Sequence, residues 1–117
     1  MSSKIIGTID LYEGVKALTD TGSAYAVAQY LGAARQSGCN WRDGRQTMDD
    51  RYAVKAAQAL DWDADYVLVC LAAERAARAD SADAAAVWRH VALRLATAAS
   101  VVFLGIYSVF QLHGGAL

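Results

Sequence analysis

The sequence predicts an all-α chain: five helices that build one small domain over residues 1–80, then a long apolar C-terminal helix within residues 81–117. Three observations carry this expectation. The 117 residues contain no proline and are rich in alanine, the strongest helix former. Apolar residues recur three and four apart, the period of a helix with one buried face, and no segment alternates convincingly with the period of a strand. Glycine and aspartate stops, followed by side chains suited to capping, punctuate the periodic stretches.

Leu11, Val15 and Leu18 place a first helix over about Asp10 to Thr19. Gly22 ends it, and Ser23 is suited to cap the next. The second helix turns Ala24, Val27, Ala28 and Leu31 inward and stops at Gly32. The third spans roughly Arg35 to Arg42 and is closed by Asp43-Gly44. Thr47 and Asp49 are cap candidates for a fourth helix, whose inward face is Ala53, Val54, Ala57 and Leu60. After the break at Asp61-Trp62-Asp63, a fifth helix over about Ala64 to Ala79 buries Val67, Leu68 and Leu71. Asp80-Ser81 separates it from the last helix.

The tract from Ala24 to Arg45 carries the chemistry. Helix, glycine turn and helix is the layout of a helix-turn-helix, whose second helix enters a DNA major groove. Reading bases needs donors and acceptors near the exposed start of that helix. Arg35 and Gln36 stand there, suited to guanine and adenine, and Asn40 lies four residues after Gln36 on the same face. Gly38 and Trp41 point the other way, making Trp41 the anchor of the helix. Arg42, Arg45 and Arg51 are placed for phosphate, which sets register without reading sequence. Between residues 34 and 45 three arginines against one aspartate leave a local excess of +2. The plainer alternative is a surface helix with solvated polar residues.

These residues resemble the DNA-binding domain of the phage lambda-repressor and Cro superfamily, the XRE-type helix-turn-helix proteins. The hydrophobic-alanine pair is Val27-Ala28, the turn is Leu31-Gly32-Ala33, and the ending is Trp41-Arg42-Asp43-Gly44. The stretch from Met48 to Leu60, with Tyr66 to Arg75, resembles a narrower group of small phage-related proteins with a hydrophobic C-terminal tail. The resemblance covers about residues 8–80, and the tail in kind. It implies a repressor-like fold in which Arg35, Gln36 and Asn40 touch bases and Ser37 touches base or backbone. Two positions depart from the pattern. Gly38 stands where Val or Ile is usual, which costs packing and up to about 1 kcal/mol of helix propensity. Ala33-Ala34 replaces Val-Ser, so the recognition helix lacks a side-chain cap worth about 1 kcal/mol.

The net charge of −1 excludes a chain that is basic throughout, while leaving a local field at the helix-turn-helix. Cys39 and Cys70 form no CxxC pair and lie away from His90 and His113 in sequence, which argues against structural zinc and fits a reducing cytoplasm. Residues 1–14 lack the apolar stretch of a signal peptide. Asp61, Asp63 and Asp65 alternate like calcium ligands but lack the glycine and terminal glutamate of such loops; capping around Trp62 is the simpler account. No catalytic triad, HExxH, phosphate loop or dinucleotide pattern occurs, so neither enzyme activity nor a cofactor, metal or small-molecule substrate is expected.

From Leu95 to Leu112 the chain runs eighteen residues without a charge. As a helix that is about 27 Å, close to a bilayer core of roughly 30 Å. Arg89, His90 and Arg94 precede it, which would keep the N-terminal domain in the bacterial cytoplasm beside the inner membrane. Ala92, Ala96 and Ser100 form a small-residue ridge suited to helix pairing. A membrane span and a buried oligomerisation helix both fit. The leading expectation is a sequence-specific repressor of phage or prophage origin, binding double-stranded DNA as a homodimer. The alternative is a membrane-associated or oligomeric interaction protein that uses the helix-turn-helix as a scaffold.

Overall fold

A computed structural model describes residues 5–97, and all regular structure among them is helical. Five helices follow in order: α1 (Thr8–Leu18), α2 (Ala24–Leu31), α3 (Arg35–Arg42), α4 (Asp50–Leu60) and α5 (Ala64–Arg78). A sixth, α6, occupies residues 82–97.

Each boundary has a local or tertiary cause. α1 starts two residues earlier than its apolar pattern implies, behind Gly7, which has no side chain to cap with. Instead the Asp10 carboxylate accepts the Gly7 N–H at 2.8 Å, and Glu74 on α5 accepts the Thr8 N–H at 2.9 Å. Ser23 caps α2, its hydroxyl accepting the Ala26 N–H at 3.0 Å. Gly32 closes α2 at φ +76°, a left-handed conformation open to glycine, and the following Ala33 N–H reaches back to the Ala28 carbonyl at 2.8 Å. α4 ends in the same way on a non-glycine residue: Asp61 has φ +57°, and the Trp62 N–H bonds the Ala57 carbonyl at 2.8 Å. Among the aspartates around Trp62 it is Asp63 that caps α5, accepting the Asp65 N–H at 3.0 Å. At the start of α4, Asp49 holds the cap position without a side-chain bond, and Thr47 is buried in the preceding loop.

The apolar faces of α1 to α5 meet in one core built from Leu11, Val15, Val27, Leu31, Trp41, Met48, Val67 and Leu71. Ala53, Ala56 and Ala57 give α4 a flat inner face, which lets α1 pack closely on it. Tyr12 joins this core, whereas Leu18, assigned to it by spacing, is 46% exposed. On α4 the third core position is Ala56; Val54 and Leu60 are half-buried.

The long apolar C-terminal helix is not found among the described residues. α6 begins at residue 82, its first helical bond running from the Ala85 N–H to the Ser81 carbonyl at 2.9 Å, and carries Asp83, Arg89, His90 and Arg94. Of the uncharged stretch, the described residues 95–97 fall on it; absence of charge marks hydrophobicity and not where a helix starts. Among the described residues no helix is long and apolar enough to cross a membrane. Of the small-residue ridge, Ala92 is 0% exposed, so its side chain is already covered within the chain, and Ala96 is half-buried. Ser100 lies outside the described residues, as does most of the 95–112 stretch.

Candidate nucleic-acid interface

α3 is an eight-residue helix held on one side by contact with the core. Trp41, 1% exposed, packs among the core residues and meets Tyr52 of α4 at a ring distance of 5.7 Å, tilted by 59°. Gly38 faces the first turn of α2. A Cβ placed there would lie 2.2 Å from the Ala24 carbonyl oxygen and 3.2 Å from the Ala28 Cβ. The missing side chain is therefore what allows α3 to cross α2 at this distance, the opposite of a packing defect. Cys39 is partly buried against the same core.

The other side of α3 is open. Arg35 and Gln36 are exposed, and Ser37 and Asn40 are half-buried on the adjoining flank. The Arg35 guanidinium lies over the Tyr25 ring of α2, 5.6 Å from its centroid, which steadies a long side chain at the start of the helix. Gln36 Nε2 donates to Asn40 Oδ1 at 3.2 Å, and Asn40 Nδ2 donates to Gln46 Oε1 at 3.1 Å. No pattern in the sequence points to Gln46. It lies past the end of the helix, and only the turn at Asp43-Gly44 brings it back beside Asn40. The helix start at Ala34 has no side-chain cap, in keeping with its sequence.

The cations around this edge are not equivalent. Arg42 is spent on its neighbour: Nε and Nη2 donate to the two Asp43 oxygens at 2.9 and 3.2 Å. The pair raises the Arg42 pKa and lowers that of Asp43, the hydrogen bonds being the main cause in both. Arg45 is exposed, and Arg51 lies over the Tyr52 ring, 4.7 Å from its centroid. Neither Arg45 nor Arg51 has an ion-pair partner among the described residues.

α5 fixes the loop that follows α3. Arg75 donates to the Met48 carbonyl at 2.9 Å and to Asp50 at 2.7 Å, and Arg78 donates to the Gly44 carbonyl at 2.9 Å. Beside them Glu74 accepts both the Thr8 N–H and the Thr8 hydroxyl, the latter at 2.6 Å, while the Met48 N–H donates to that hydroxyl at 2.9 Å. Burial pulls the Glu74 pKa upward. The Thr8 hydrogen bonds, the nearby Thr47 hydroxyl and the Arg78 charge outweigh it and hold the carboxyl below the usual range. One carboxylate thus ties α1, α5 and the α3–α4 loop together.

No family model, curated protein or solved structure matches this chain.

The arrangement therefore stands on its own geometry. α2 and α3 join at a left-handed glycine, α3 presents amides and two guanidinium groups outward, that of Arg42 paired with Asp43, and the exposed Arg45 and Arg51 follow it in the chain. A separate open groove of about 440 Å³ runs along the outer side of α2, lined by Leu18, Thr19, Tyr25, Gln29 and Tyr30 among others. Its two tyrosines are about half exposed. The second thiol, Cys70, is fully buried, and burial raises its pKa, which keeps it protonated and inert.

Proposed function

We propose that this chain is a sequence-specific DNA-binding regulator of phage type. It reads duplex DNA with α3 and represses by occupying an operator. It works as a symmetric pair, because one short helix reads too few base pairs. The observation that supports this reading is the open edge of Arg35, Gln36, Ser37 and Asn40 on a helix fixed from behind by Gly38 and Trp41. Arg35 is suited to guanine, the amides to adenine, and Arg45 and Arg51 to phosphates. Arg42, matched by Asp43, contributes less to the field than its position in the sequence implies.

Filter binding of the full chain to random duplex DNA, followed by selection from a randomised pool, tests this. The expected result is binding at low salt that weakens steeply as salt rises, with an enriched motif. Absence of binding at low salt overturns it and favours a second reading, a protein-interaction module. That reading draws on the groove along α2, with Leu18, Tyr25 and Tyr30 exposed around it.

A further inference from the structure

We infer that Gln46, outside the recognition helix, sets which base Gln36 reads, through a directional relay of three side-chain amides. The inference rests on the DNA-reading role of α3. A carboxamide has one end that accepts and one that donates, so fixing its orientation at one contact fixes it at the next. Gln46 Oε1 accepts from Asn40 Nδ2 at 3.1 Å, which leaves Asn40 Oδ1 facing Gln36, and Gln36 answers with Nε2 at 3.2 Å. Gln36 keeps its Oε1 and one N–H unspent. That acceptor-donor edge matches the N6 amino group and N7 of adenine in the major groove.

The backbone that carries the far end of the relay is held by the fold. Gly44, at φ +71°, reverses the chain, and the Arg45 N–H closes on the Asn40 carbonyl at 2.9 Å. Arg78 of α5 holds the Gly44 carbonyl at 2.9 Å. Residue 46 is thereby delivered beside Asn40 by backbone contacts, and its chemical type acts as a polarity switch. An acceptor there keeps the direction of the relay. A side chain that only donates reverses it: Asn40 turns its oxygen to residue 46 and its nitrogen to Gln36, and Gln36 turns its oxygen inward. Its amino group then faces outward as a pair of donors, the edge that suits O6 and N7 of guanine.

The full chain is compared as wild type, Gln46→Glu and Gln46→Lys, with two readouts. The first is the side-chain amide resonances of Gln36 and Asn40 in the free protein, with the backbone resonances as a control for folding. The second is selection from randomised duplex DNA. The ratio between bases is read, because a change of charge alters affinity for all sequences alike. Gln46→Glu is expected to leave the Gln36 amide resonances and its adenine preference in place. Gln46→Lys is expected to shift both amide signals and to move one position of the motif from adenine to guanine by roughly tenfold or more. Gln36 resonances indifferent to Gln46→Lys, or an unaltered motif, overturn the inference. If the wild type binds no duplex, the DNA-reading role is overturned and the base claim with it, while the free-protein spectra still decide the relay.

Discussion

At the scale of single residues, two positions act through the backbone. At Gly38 a β-carbon has no room, because the atom it meets is a carbonyl oxygen of a neighbouring helix and not the tip of a flexible side chain. Gly38→Ala gains about 1 kcal/mol of intrinsic helix propensity, yet overpacking against backbone costs roughly 1–3 kcal/mol or more. The expected outcome is a lower urea midpoint together with weakened DNA binding, measured on the same preparation. Asp61 is the reverse case, an exposed non-glycine residue at φ +57°. Asp61→Gly is expected to raise stability by up to about 1 kcal/mol by relieving the left-handed conformation, read as a higher midpoint in urea. Neither effect is legible in the sequence. Gly38 read by itself is a weak helix former in place of a packing residue; only the proximity of Ala24 shows what its emptiness does.

At the scale of helices, legibility follows the reach of the signal. The limits of α2 and α3 agree with the sequence because their causes are local: a serine cap, a left-handed glycine, and the Asp43-Gly44 ending. The start of α1 does not, because its N–H group is satisfied by Glu74, 66 residues away. Hydrogen bonds to a charged group contribute roughly 1.5–3 kcal/mol, and Glu74→Gln is expected to cost about that much. The pKa direction fixes the pH dependence. Glu74 titrates lower in the folded chain than in the unfolded one, so its contribution is present above the unfolded-state pKa. It fades as pH falls through the folded-state value. Urea midpoints measured downward from neutral pH are expected to drop in the acid range for the wild type. In Glu74→Gln the curve starts lower and lacks that part of the decline.

At the scale of the whole molecule, the balance of charge near zero makes the distribution decisive. The contrast between Arg42, which is paired, and Arg45, which is not, gives a direct test. Arg45→Ala is expected to weaken DNA binding uniformly across sequences and to reduce the slope of log affinity against log salt by about 1, whereas Arg42→Ala changes it less. Filter binding over a salt series checks both. The tail shows where sequence reasoning runs out at this scale. A run of uncharged residues is easy to see, but it does not mark the start of α6, which follows Ser81 and buries Ala85 and Ala92, seven residues apart. Gln46 is not legible in the sequence for a related reason. Its partner Asn40 is six residues back, across a chain reversal that no helical periodicity describes.

The bond between Thr8 and Glu74 also bears on how the domain comes into being on the ribosome. The first helix emerges early, but the carboxylate that closes its open end is translated near the end of the five-helix unit. Arg75 and Arg78, which hold the loop behind α3, follow directly after it. A nascent chain stopped short of residue 74 thus holds the amides of Gln36, Asn40 and Gln46 without the α5 groups that hold the loop beside them. On the proposed reading, the helix that would engage DNA gains its full support late in synthesis, as α5 clears the exit tunnel.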